Sequence, residues 1–149
     1  LMIHNLDLIL SVVASDVEHV EAVGVPVLTP RVDIANARVR FKNGCIANLT
    51  ASRISKEAVR KIRFFQRDAY VSIDTAARDV EVWSVVPQPG GARKIGGGKL
   101  SVDGGEPLKA ELEDFIGAVR DRRPPAVSGE EGRAALALAV RIVELMAQP

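Results

Sequence analysis

Two stretches of alternating side chains, residues 34–41 and 45–54, flank the dipeptide Asn43-Gly44. This is the feature that most narrows what the chain can fold into. On the first stretch Ala35, Ala37, Val39 and Phe41 share one side, and Asn36, Arg38 and Arg40 share the other. On the return, Cys45, Ala47, Leu49 and Ala51 oppose Ile46, Asn48, Thr50 and Ser52. A period of two is that of a strand with one covered face. Asn43-Gly44 reads as a hairpin turn because both residues tolerate positive φ. Antiparallel pairing is therefore expected, since parallel neighbours need long crossovers.

The period is helical at both ends of the chain. Ile3, Leu6, Leu10 and Val13 recur at helical spacing, and this helix is expected to stop near Ala14-Ser15-Asp16. Its apolar run begins at Leu1 with no polar approach or cap, so the start is expected to be cut from something longer. Further β-rich runs cover residues 20–27, 59–66, 70–75 and 80–86. Residues 87–105 hold most of the glycines and read as a loose hairpin or an edge strand. Leu108, Leu112, Phe115, Ile116 and Val119 then form one apolar stripe, stopped by Arg123-Pro124-Pro125. Ser128-Gly129-Glu130-Glu131 has the spacing of a capping box. The helix beyond it presents Ala135, Leu138, Ala139, Ile142, Val143 and Met146 on one face. The order is helix, five to seven strands, two helices. That predicts an α+β fold: one open, mostly antiparallel or mixed sheet with the helices on one face. The other face is expected to carry Ile34, Ile46, Asn48, Thr50, Ser52, some arginines and Trp83. Such a mixed surface suits a second copy of the chain.

Composition excludes several functions. The formal net charge is +1, which gives no electrostatic case for nucleic acid or an anionic membrane. Four Phe, one Trp and one Tyr are a poor supply for stacking bases. No signal-peptide pattern and no apolar run near membrane-spanning length is present, so a soluble cytoplasmic protein is expected. Cys45 is the lone cysteine; its apolar neighbours predict a buried thiol. Gly96-Gly97-Gly98-Lys99 is no phosphate loop: Arg93 stands where the first glycine is needed, and Leu100 follows the lysine. Ser101 occupies the place of the third glycine of a dinucleotide fingerprint, so a flexible turn is expected there. His4 and Asp7 share a helix face. A lone histidine on an apolar helix is more often a core residue than a catalyst. His19, beside Glu21, is expected at the surface. Arg60, Lys61 and Arg63 alternate with Val59, Ile62 and Phe64, which reads as one solvated strand face or an anion site.

The His4-x-x-Asp7 helix leads into an open sheet. Glu113-Asp114-Phe115, the Pro-Pro stop and the run from Val127 to Gly132 that opens the last helix follow. In this order and spacing they resemble the C-terminal domain of the glucose–fructose oxidoreductase / inositol dehydrogenase / rhizopine catabolism (GFO/IDH/MocA) family, over essentially the whole chain. The resemblance implies a dihydrodipicolinate reductase-like C-terminal domain over residues 1–149 that supplies substrate contacts and oligomerises through its open sheet, as a homodimer or homotetramer. It also implies an N-terminal Rossmann domain, absent from this chain, that binds NAD or NADP. His4 matches the histidine of the family's Asp-x-x-x-His helix, whose Asp would immediately precede Leu1. The resemblance thus implies that His4 takes the proton of a sugar, cyclitol or sugar-nucleotide hydroxyl as it is oxidised. The segments Val32-Asp33-Ile34-Ala35-Asn36-Ala37-Arg38 and Thr50-Ala51-Ser52-Arg53 are similar to those of sugar-nucleotide dehydrogenases, of the kind acting on the 3-hydroxyl of UDP-N-acetylglucosamine. Arg53 and Arg60, at or after strand ends, are the candidates for holding an anionic substrate group. This chain alone is expected to be inactive. The alternative is a non-catalytic dimerisation or ligand-binding module.

Overall fold

A computed structural model describes residues 2–56, 59–89, 91–102 and 105–147. Leu1 of the opening run, and Gly90, Asp103 and Gly104 of the glycine-rich segment, lie outside the described residues. The elements are α1 (Ile3–Val13), β1 (Val17–Val25), β2 (Ile34–Phe41), β3 (Ile46–Ser52), β4 (Lys61–Phe65), β5 (Ala69–Asp74), β6 (Asp79–Pro87), β7 (Arg93–Leu100), α2 (Pro107–Asp121) and α3 (Gly129–Met146). The class is α+β as expected, and where the short connections predict mostly antiparallel or mixed pairing, every ladder is antiparallel. The expected single sheet is instead two, ordered β1-β2-β3 and β4-β5-β6-β7. Each ladder joins strands consecutive in sequence through a turn or loop. Alternation marks a strand but does not say whether it pairs across the connection that follows it. The chain correspondingly forms two compact units, residues 1–56 with 114–149, and residues 57–113.

In the first unit α1 and α3 pack together, and α3 lies against β1. β2 shows the expected alternation in full: Ala35, Ala37, Val39 and Phe41 are buried, while Asn36, Arg38 and Arg40 are exposed. Their buried face meets Leu6 and Ile9 of α1, Val20, Leu49, and Leu138 and Ile142 of α3 in one core. The opposite face is open. There the Thr50 hydroxyl donates to Asn36 Oδ1 at 2.8 Å, and Arg38 donates to Asn48 at 3.3 Å.

Local signals held well here. α1 stops at Ala14, which adopts the left-handed conformation and donates to the Leu10 carbonyl. Ser128 accepts from the Glu131 amide, and Glu131 accepts from the Ser128 amide, so the capping box is formed. The β2–β3 turn needs a correction. Gly44 has positive φ, but Asn43 does not. Phe41 and Cys45 close a three-residue loop in which only the last position is left-handed. Cys45 is exposed rather than buried, because it ends that loop before the ladder begins.

The second unit holds the four-stranded sheet. Ile62 and Phe64 alternate with exposed Lys61, Arg63 and Phe65, as expected. Trp83 lies on β6 of this sheet, not on the open face with Ile34 and Ile46. Gly96, Gly97 and Gly98 are inside β7, paired with Ser84, Trp83 and Val82; they are not a turn. A Cβ on Gly97 would collide with the Val82 carbonyl and Trp83 Cα, and its φ of +142° is one that side-chain-bearing residues rarely adopt. The glycine serves close strand approach, which composition alone cannot distinguish from flexibility.

The stripe of α2 was expected to help cover the sheet. Leu108, Leu112, Phe115, Ile116 and Val119 are all more than half exposed, and Ala118 is the buried residue of this helix. Helical periodicity identifies an apolar face but not what covers it.

Candidate functional site

Asp33 begins the construction of the site. It is 2 % exposed, at the end of the loop joining β1 to β2. One carboxylate oxygen accepts the backbone N–H groups of Val27, Leu28 and Thr29 at 2.9, 2.7 and 2.8 Å. The other accepts the Thr29 hydroxyl at 2.8 Å. These bonds, that from Thr29 N–H foremost, hold the carboxyl far below the usual carboxylate range and outweigh burial, which works the other way. The backbone of Asp33 is engaged too: its N–H donates to the Val25 carbonyl, and its carbonyl accepts from Arg53 N–H, both at 3.0 Å. One side chain therefore sets the loop and one backbone ties it to the end of β3.

Beside this loop the first unit has a cavity of about 420 Å³. Met2 with Ile3 and Leu6 of α1 forms one wall, and Ala139, Ile142, Val143, Met146 and Ala147 another. Arg31, Val32, Asp33, Ala35, Ala51 and Arg53 complete it. Gly24 makes the close packing behind it possible: a Cβ there would meet Met146 Sδ and Val32 at 2.9 Å. The size and mainly apolar lining with a few convergent polar groups are those of a small-molecule site.

The residues singled out in the sequence fall in three places. Arg53 lines the cavity. His4 is exposed, so it is not the core histidine that the apolar helix suggested. It follows from helix geometry that His4 is about 200° around α1 from Leu6, on the outward side rather than the cavity side. Arg60 belongs to the second unit; its carbonyl accepts from the Thr75 amide and hydroxyl, and its side chain is exposed. Its neighbour Lys61 pairs with Asp74 at 3.4 Å, and Arg63 is exposed, which is the solvated-face reading of that cluster. His19 is at the surface, 3.4 Å from Glu21.

Sequence reasoning missed Arg31 and Asp33. An available signal was Thr29 and Asp33 in a proline-flanked loop, since both side chains compete well for backbone groups outside regular structure. Among the described residues no group of three or more His, Cys, Asp or Glu side chains is placed to hold a metal. Among the described residues no helix is long and apolar enough to cross a membrane.

No family profile matches the chain. It is 36% identical over 146 residues to UDP-N-acetylglucosamine 3-dehydrogenase of Acidithiobacillus ferrooxidans, covering 95% of this chain and 46% of that protein. A solved structure of the enzyme from that organism superposes with a TM-score of 0.87 at 33% identity, over 97% of this chain and 45% of the other. Levoglucosan dehydrogenase, solved with NADH and L-sorbose, has a TM-score of 0.81 at 17% identity, over 99% and 47% of the two chains, and so shares the fold. The chain spans about half the length of the relatives it matches.

Proposed function

We propose that the chain is of the GFO/IDH/MocA type of oxidoreductase and that residues 1–149 are the C-terminal substrate-binding and oligomerisation domain of an NAD(P)-dependent dehydrogenase. Its substrate is a sugar nucleotide of the UDP-N-acetylglucosamine class, and its setting is the cytoplasm. The observation that carries this is an exposed histidine, His4, on the outward side of the first helix of a chain 36% identical to such a dehydrogenase.

The residues of this chain do not fit the dinucleotide itself. Its glycine run lies in β7, with Gly97 backed onto Val82 and Trp83, and α2 begins only at Pro107. A pyrophosphate site needs a glycine turn running directly into a helix. The cofactor therefore belongs to a separate nucleotide-binding domain. What this chain contributes is the proton side of the oxidation and the grip on the substrate. The His4 imidazole accepts the proton of the hydroxyl that becomes a carbonyl. Arg53 or Arg60 is the proposed partner of the substrate's anionic group.

In the complete enzyme His4→Ala is expected to lower kcat by about two to four orders of magnitude, the range for losing a general base. Unchanged kcat would return the chain to a non-catalytic module. Self-association is assigned to the open face of the β1–β3 sheet, where Val23, Val25 and Ile46 are exposed among Asn36, Asn48 and Thr50. Pairing two such faces buries the aliphatic side chains and lets the amides and hydroxyls bond across the contact. A monomer in sedimentation at micromolar concentration would remove that assignment.

A further inference from the structure

Among the described residues, Arg31 and Arg53 are the cationic ones lining the cavity of the first unit. Among the described residues neither guanidinium has an ion pair or hydrogen bond. The one acid in the lining, Asp33, has both carboxylate oxygens occupied by its own loop. It is therefore a counter-charge in the background, not a partner to either arginine. The remaining lining side chains are aliphatic. They include no hydroxyl, amide or aromatic ring, so the walls cannot read sugar hydroxyls or stack a base. Recognition there falls to the two guanidinium groups, which bond charged oxygens more strongly than neutral ones.

We propose that Arg31 and Arg53 together hold a phosphate group at this cavity, and that Asp33 is the residue that positions both. Arg53 follows β3, and its N–H donates to the Asp33 carbonyl. Arg31 is on the loop that the Asp33 carboxylate organises: its N–H donates to Thr29 Oγ1 at 3.2 Å, and that hydroxyl donates to Asp33 at 2.8 Å. The backbones of two separate chain segments are thus tied to one anchored residue, and both arginines line the same cavity. Planar guanidinium forks suit phosphate oxygens better than a lysine ammonium does. That the phosphate is the diphosphate of a sugar nucleotide rests on the proposed function; the two-arginine site does not.

The test is titration calorimetry of this chain with UDP, with inorganic pyrophosphate, and with uridine as the uncharged control. UDP and pyrophosphate bind and uridine does not. Arg31→Ala and Arg53→Ala each weaken both anions by about tenfold or more, as expected for loss of a charge-assisted bond. Asp33→Asn weakens them with both arginines still present. Amide NMR spectra confirm that each variant keeps the fold, and Arg63→Ala, on β4, leaves binding unchanged. Pyrophosphate binding without a gain for UDP keeps the site and denies it the nucleotide. Equal affinity for uridine and UDP, or unaltered anion affinity in both arginine variants, overturns the proposal. Neither result depends on His4, so failure here and failure of the dehydrogenase reading are separately visible.

Discussion

Phe41 and Phe65 both end strands of alternating pattern, yet Phe41 has no exposed surface and Phe65 is 78% exposed. The difference extends to their surroundings. Every fully buried hydrophobic side chain among the described residues belongs to the first unit, where α1 and α3 lie with the β1–β3 sheet. In the second unit Ser72 is the buried residue, and Ile62, Phe64, Val71, Ile73, Val80 and Val82 are half-buried. One sheet is stabilised by a core. The other relies on its ladders and on cross-strand pairs such as Phe65 with Tyr70, whose rings are 5.2 Å apart. Similar alternation thus carries very different burial energy, depending on whether a helix layer closes over the apolar face.

The comparison is most exposed to failure at the two phenylalanines. Phe41→Ala should cost about 3–5 kcal/mol in urea unfolding, because it opens a cavity in a closed core. Phe65→Ala should cost no more than about 1 kcal/mol, the lost ring pair and little else. Equal costs would show that the second unit has a core of its own. Next in size is Gly97→Ala. Its strained φ and the collision with Val82 should cost about 1–3 kcal/mol. Hydrogen exchange should quicken in β6 and β7 while the β2 amides keep their protection. Faster exchange in β2 would mean that the units do not respond separately.

The smallest effect is a pH dependence that concerns one carboxylate in each unit. Asp33 is held low by its loop amides. Asp74 is lowered first by the Ala77 N–H, then by Lys61 and the Ala76 N–H. In both cases the folded carboxyl titrates below the unfolded one, which lies near about 3.9. Their contribution is complete above that value and is lost as pH falls below it, because the unfolded chain takes up protons first. Melting temperature should therefore be flat from neutrality to about pH 5 and fall below about pH 4. The fall should be shallower in Asp33→Asn. An acid profile that the substitution leaves unaltered would mean that the Asp33 bonds do not survive in solution.

Much of the local structure was legible in the residues. The alternation of β2 and β3 named the buried face residue by residue, and Ser128 with Glu131 marked the start of α3. Arg53 was singled out as a candidate by its place at a strand end, and it lines the cavity. Arg31 was not, because nothing in its own neighbourhood says that it meets Arg53 at one cavity. Asp33 was read only as part of a segment similar to those of sugar-nucleotide dehydrogenases. Its role needs the amides of Val27, Leu28 and Thr29 turned toward one point, and a linear pattern does not describe that geometry. His4 was misjudged toward the core because the helix around it is apolar on more than one side; with Leu6 and Ile9 facing inward, its phase puts it outside.

The sequence by itself determined where the helices and strands lie and which side of each is apolar, since periods of 3.6 and 2 are properties of the backbone alone. It also determined how α3 begins and that β2 and β3 pair antiparallel, because caps and short connections act within a few residues. Only the tertiary structure decided that the strands divide into two sheets, that the stripe of α2 is exposed, and that Gly97 serves close approach rather than a turn. It alone brought Arg31 and Arg53 to one cavity around Asp33. Each of these depends on what stands across from a residue in space, and burial and hydrogen bonding are set by that neighbour rather than by position along the chain.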